Sequence, residues 1–287
     1  MKNISSFSVI GGDKRQLYLI KSLKLDGFTV TSFGFGELSD CESDTALKCI
    51  DNGDAVLLPL PYSSDGKNIN ALSKEHSITI NKLVKLLPTN ALVFAGKVDD
   101  KLKKLCLKKN IRLFDYSACA DFEILNAVPT AEGAIEIAMA DTPYTLAKSK
   151  CTVAGYGKIG KILCSKLKSL DANITATARR AETFSEIVSN GYIAEKISDI
   201  SKNIGTADII FNTIPHIIFD YDILKLTKPD VLIIDLASRP GGVDIKASEE
   251  LGRKVITALS LPGKCAPQTA GEIIKTTVLN ITDELEV

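Results

Sequence analysis

Short apolar runs alternate with longer amphipathic stretches along this chain. Residues 7–10, 30–33, 55–58, 91–95 and 111–114 are compact apolar runs bounded by polar or turn-forming residues, and they predict strands. Between them, residues 15–25 place Leu17, Ile20, Leu23 and Leu25 at near-helical intervals, and residues 78–87 and 99–107 carry similar spacing. A second series starts near residue 150. Its predicted strands are 151–154, 174–178, 208–211, 231–235 and 254–258, and its predicted helices are 158–170, 182–190 and 270–281. Residues 131–140 read as an apolar connector helix between the two series. Asp141-Thr142-Pro143 ends it, because the residue before a proline is pushed out of the α region. Strands separated by helices imply parallel pairing through βαβ crossovers. The pattern predicts an α/β protein of two doubly wound, Rossmann-like domains with parallel sheets and an interdomain cleft. The predicted division is a substrate-side domain at 1–130 and a nucleotide-binding domain at 131–287, the latter including the connector and C-terminal helices.

The length of 287 residues agrees with two domains. Lys and Arg number 35 and so do Asp and Glu, which argues against nucleic acid as the main partner, since such proteins carry a basic surplus. Neutrality hides one local imbalance: between Lys148 and Arg180 eight basic side chains face the single acid Asp171. No run approaches a membrane span, and residues 1–10 hold no long apolar segment of the kind a signal peptide needs. The cysteines are odd in number and form no C-x-x-C, so reduced thiols and a cytoplasmic location are expected. His76 and His216 stand alone, and no metal site is expected.

The strongest chemical signal is Gly155-Tyr156-Gly157-Lys158-Ile159-Gly160, a G-x-G-x-x-G loop after a predicted strand and before a predicted helix. Gly155 permits a tight turn, Gly157 admits backbone to a pyrophosphate, and Gly160 lets the helix pack closely on the sheet. The alternative is a glycine-rich turn that binds nothing. An NAD site usually shows an acid about 20 residues further on, to bind the adenosine ribose. Here Ala178 is followed by Arg179 and Arg180, which suit the extra phosphate of NADP, so NADP is the expected cofactor; a solvated basic turn is the competing reading. Three later loops should lie at the C-terminal edge of the same sheet, where ligands bind, unless they are ordinary turns: Asn212-Thr213-Ile214-Pro215, Ser238-Arg239-Pro240-Gly241-Gly242 following Asp235-Leu236-Ala237, and residues 261–269 with Lys264. In the first domain, Asp13 is a predicted N-cap and Lys14 and Arg15 open a helix, a cradle for a carboxylate or simply a solvated first turn.

Taken together, residues 9–16, 129–135, 155–160, 212–215, 235–242 and 261–271 resemble the A subunits of bacterial dipicolinate synthases. They run in order over nearly the whole chain. The glycine loop is generic and the flanking segments are more particular. Arg239 stands where lysine is equally expected, and the charge is kept. The resemblance implies NADP-dependent oxidation of dihydrodipicolinate to dipicolinic acid, the calcium chelator of endospores, in the mother cell of a sporulating bacterium. It implies that the partner is a flavoprotein-like B subunit, with a small dicarboxylate as substrate; a homo-oligomer is also expected. It brings Thr130, Glu132, Arg239 and Lys264 forward as catalytic candidates and Asp13, Lys14, Arg15 and Ser238 as substrate-binding ones. The expected cofactor contacts are Gly155–Gly160, Arg179, Arg180, Asn212–Pro215 and Asp235–Ala237. Glu132 reads equally well as a first-turn acid of the connector helix. D-2-hydroxyacid dehydrogenases carry a histidine base near the final helix, whereas residues 261–272 contain none, which suits an aromatisation that supplies its own driving force. Two other readings stay open: a cofactor-binding subunit whose partner does the chemistry, and a hydroxy- or amino-acid dehydrogenase on the same scaffold.

Overall fold

Each apolar run forms a strand. A computed structural model describes residues 4–73 and 75–285. In the first unit the order is β1 (Ser6–Ile10), α1 (Lys14–Leu25), β2 (Thr29–Phe33), α2 (Ala46–Asp51), β3 (Ala55–Leu57), α3 (Ile80–Leu86), β4 (Leu92–Ala95), α4 (Asp100–Lys108) and β5 (Arg112–Asp115). The strands pair in parallel in the order β2-β1-β3-β4-β5. One face buries Phe7, Val9 and Leu57 under α1, and the other buries Ile10, Val56 and Val93 against α2, α3 and α4. Both faces being covered explains why these strands are continuous apolar runs.

Helix α5 (Ala120–Asp141) leads to the second unit. There β6 (Lys150–Ala154), α6 (Lys158–Ser169), β7 (Asn173–Ala178), α7 (Ala181–Ser189), β8 (Ile193–Lys196), β9 (Ile209–Asn212), α8 (Tyr221–Leu226), β10 (Leu232–Asp235), α9 (Ile245–Glu250), β11 (Lys254–Thr257) and α10 (Leu261–Cys265) follow. The sheet is again parallel, in the order β11-β10-β9-β6-β7-β8. The order in which strands are added reverses between β6 and β9, the switch point at which doubly wound sheets bind ligands.

The units differ from the predicted division at two places. The final helix α11 (Pro267–Leu285) belongs with the first unit, which holds the residues up to Leu125 and those from Ala266 on, while the second is Asn126–Cys265. The cause is packing: Ile273, Ile274 and Val278 complete the core over Phe7, Leu19 and Leu23. At Gly271 an added Cβ would stand 2.6 Å from the Arg15 carbonyl oxygen, so α1 and α11 touch almost backbone to backbone. The connector also begins earlier than residue 131, and α5 runs through Pro129. Proline removes the bond to the Leu125 carbonyl and crowds it, and Leu125 is exposed, where water can take the place of the missing donor. The predicted stop at Asp141 is present.

Candidate nucleotide site and its loops

The glycine loop is built against its two neighbouring strands. Gly155 has φ +97°, and a Cβ there would lie 2.4 Å from the Thr213 hydroxyl. Its N–H donates to Thr177 Oγ1 at 3.1 Å, and Thr213 Oγ1 donates to the Ala154 carbonyl at 2.9 Å. Gly160 packs so closely that its Cβ would be 2.1 Å from the Gly155 carbonyl oxygen. Thr177, fully buried in β7, escaped the sequence reading; its only signal was a polar residue on the inward side of an apolar strand. Tyr156 turns inward. Its hydroxyl accepts from Asn190 Nδ2 at 3.2 Å, its ring meets Tyr192 edge-on, and burial pushes its phenol up to about 12. Tyr156 thus anchors the loop on the β7–β8 side. Ile159 packs on the core and Lys158 is exposed.

Side-chain capping distinguishes the helices. Asp13, Thr45, Thr79, Asp99, Asp220 and Asp244 each cap a helix by accepting a backbone N–H. Helix α6, opened by Gly157, and α7, opened by Arg180, have no side-chain cap. Their first-turn N–H groups are left to an outside anion, at α6 with no acid in the first turn and at α7 with Glu182 in it. At Gly157 an added Cβ meets nothing within 4 Å, so the open space a pyrophosphate needs is there. Arg179 and Arg180 are both exposed at the C-terminal end of β7. A nicotinamide dinucleotide fits the glycine loop.

The neighbouring loops are arranged differently from a set of ligand-facing side chains. Asn212, Asp235, Leu236 and Ala237 are all buried. Asn212 Nδ2 donates to Asp235 Oδ1 at 2.8 Å and to the Ile214 carbonyl at 3.0 Å. Thr213 and Ile214 are half-buried, while Pro215, His216, Ser238, Arg239 and Pro240 form exposed tips; the Arg239–Pro240 peptide is cis. Lys264 is exposed at the end of α10.

Two catalytic candidates are engaged elsewhere. The buried Thr130 hydroxyl donates to the Asn126 carbonyl within α5 at 2.7 Å. Glu132 pairs with Lys166 at 2.7 Å, in the last turn of α6, at the opposite end from the glycine loop. In the first unit Asp13 and Gln16 form a reciprocal capping box, whose D-x-x-Q pattern stands in the sequence. The buried Arg15 guanidinium donates to both Asp13 carboxylate oxygens and to the Leu60 carbonyl, while Lys14 is exposed. Arg15 therefore neutralises Asp13 beside it, and Lys14 is the cation of this pair that reaches solvent. Among the described residues no group of His, Cys, Asp or Glu could hold a metal, and no helix is long and apolar enough to cross a membrane.

Comparison with known proteins agrees with this geometry. Residues 6–117 match the N-terminal domain of the dipicolinate synthase A subunit, and residues 130–251 match the NAD-binding domain of D-isomer-specific 2-hydroxyacid dehydrogenases. The A subunit of dipicolinate synthase from Bacillus subtilis is 30% identical over 97% of this chain and 96% of its own. The crystal structure of the Bacillus halodurans A subunit superposes with TM-score 0.88 at 28% identity, over 96% of this chain and 97% of the other. That of the B. subtilis protein gives TM-score 0.88 at 28% identity, over 100% and 98%. With near-complete coverage in both directions and two dehydrogenase-type parallel sheets, the chain belongs to the family of dipicolinate synthase A subunits.

Proposed function

We propose that this chain uses NADP to oxidise dihydrodipicolinate to dipicolinic acid. The observation that carries the cofactor half of this reading is the pair of uncapped helix starts, α6 behind the glycine loop and α7 behind Arg179 and Arg180. The first suits a pyrophosphate and the second the ribose phosphate of NADP, for which arginine offers charge and a forked donor set. When bound, the nicotinamide supplies a hydride acceptor. A dihydropyridine that loses a hydride and one ring proton becomes aromatic, which supplies driving force and relaxes the need for a strong base. The engagement of Thr130 and Glu132 away from the glycine loop fits that chemistry. Arg239 and Lys264 in the second unit are exposed cations proposed to bind a substrate carboxylate, since charge-assisted hydrogen bonds are strong; Lys14 is the exposed cation of the first unit proposed for the same kind of contact. Ser238, beside Arg239, adds a hydroxyl. Asp13 and Arg15 shape the first turn of α1 from which Lys14 projects.

The same engagement of Thr130 and Glu132 also favours a second reading, in which a B subunit completes the reaction. The B. subtilis relative is named as one lettered subunit of its synthase, which supports a partner of this kind. One experiment addresses cofactor and reaction together. The wild-type chain is expected to reduce NADP in preference to NAD when given freshly prepared dihydrodipicolinate. The Arg179→Asp/Arg180→Ser variant is expected to lose that preference. An unchanged NADP-to-NAD ratio in the variant would remove the arginine pair from the cofactor site.

A further inference from the structure

Strands β9 and β10 end side by side, with Asn212 and Asp235 as register partners. They stand in the half of the sheet beyond the switch point, which takes the second half of a dinucleotide. Both side chains are buried, Asn212 at 0% and Asp235 at 2% exposure. Asp235 has no cation beside it among its hydrogen-bond partners; three donors hold it. Oδ1 accepts from Asn212 Nδ2 at 2.8 Å and from the Ala237 N–H at 3.1 Å, and Oδ2 accepts from the Gly242 N–H at 3.0 Å. Asn212 closes the other side, its Nδ2 donating to the Ile214 carbonyl and its Oδ1 accepting from the Ile214 N–H at 3.1 Å. The Gly242 carbonyl in turn accepts from the N–H groups of Ile218 and Phe219 at 3.0 Å each. Two loops that are far apart in sequence are thereby joined through two side chains, with Pro215, His216, Ser238 and Arg239 left at the exposed tips.

We propose that the Asp235–Asn212 pair is a positioning unit that sets the shapes of loops 213–216 and 238–242 to receive the nicotinamide half of the cofactor, without either side chain touching it. A buried carboxylate is costly unless its hydrogen bonds are complete. A purely structural junction here needs no charge, whereas a carboxylate accepting from three donors on two loops locks them in one arrangement. An asparagine at 235 cannot reproduce it: a carboxamide presents its oxygen to the Oδ1 donors or to the Gly242 N–H, and sets its NH2 against the other side. At Gly242 an added Cβ would fall 2.1 Å from Asn212 Nδ2 and 2.6 Å from the Ile214 carbonyl oxygen, so Gly242→Ala strains the same junction without changing charge.

The proposal rests on the dinucleotide reading above, and the test separates the two. Wild type, Asp235→Asn and Gly242→Ala are titrated with NADPH and with adenosine 2′,5′-bisphosphate, which carries only the adenosine half. Thermal unfolding is recorded for each. Both variants are expected to bind NADPH roughly 10- to 100-fold more weakly, Asp235→Asn through a lost hydrogen bond to a charged group and Gly242→Ala through displacement of the same junction. Both are expected to bind the bisphosphate as wild type does and to unfold cooperatively. Unchanged NADPH affinity, a parallel loss for both ligands, or loss of cooperative unfolding in both variants would each overturn the positioning role. A wild-type chain that binds neither ligand overturns the dinucleotide reading, and this proposal with it.

Discussion

At the scale of single residues, the sequence told residue type well and side-chain commitment poorly. The glycines of the loop stand where their spacing required. Gly160 is a sharp case: with its Cβ position 2.1 Å from a carbonyl oxygen, Gly160→Ala is expected to cost about 1–3 kcal/mol, read by urea unfolding. Asn212 and Asp235, by contrast, were legible as polar residues near a site but not as partners of each other. Pairing across the fold leaves no local pattern. Glu42 went unnoticed for the same reason. Its carboxylate accepts from the N–H groups of Gly34, Phe35 and Gly36 and from Ser32 Oγ, with His76 Nδ1 at 3.1 Å. Burial is the largest single influence and pushes its carboxyl up, but the Ser32 and backbone hydrogen bonds together outweigh it and hold the group below its ordinary 4.5. A lowered native value means that Glu42 stabilises the fold above its unfolded pKa and loses that contribution as pH falls through the native one. Glu42→Gln is therefore expected to be less stable than wild type near neutrality. The gap should narrow on acidification below about pH 4.5, as followed by chemical unfolding across a pH series.

Elements were more legible than residues, because periodicity over several positions averages out single exceptions. Every predicted strand is present, and β8 was missed because only Glu195 and half-buried Ala194 of its four residues turn toward the protein, leaving no apolar run. The short helices α2, α8 and α9, six residues each, carry too few turns for a helical period to show. The final helix was legible as a helix but not assignable to a unit. Its apolar stripe announces a partner without naming which core provides it. Ile274, 1% exposed, should reveal the true partner: Ile274→Ala is expected to cost about 2–5 kcal/mol. Hydrogen exchange should show the loss in β1 and α1 rather than in the glycine-loop sheet. Equal loss of protection in both sheets would contradict the assignment of α11.

On the scale of the whole molecule, neutrality was an incomplete description. The basic stretch from Lys148 to Arg180 is dispersed by the fold. Lys150 begins β6 at the edge opposite the glycine loop, Lys161 pairs with Glu186 and Lys166 with Glu132. What reaches the ligand edge is smaller: Lys158 at the start of α6, and the two arginines after β7. A few charges gathered at two helix starts without side-chain caps suit the proposed phosphate-bearing cofactor. NADP affinity is accordingly expected to weaken with added salt, as screening acts on exposed charges. The proposed oxidation is open to direct measurement. The most direct test is to give the purified chain, alone and with its B-type partner, NADP and freshly prepared dihydrodipicolinate, and to follow the nicotinamide and dipicolinate absorbance bands together. NADPH and dipicolinate are expected to rise in equal amounts with the chain alone. Dipicolinate formed only with the partner present, or formed without NADPH, would contradict NADP-dependent oxidation by this chain.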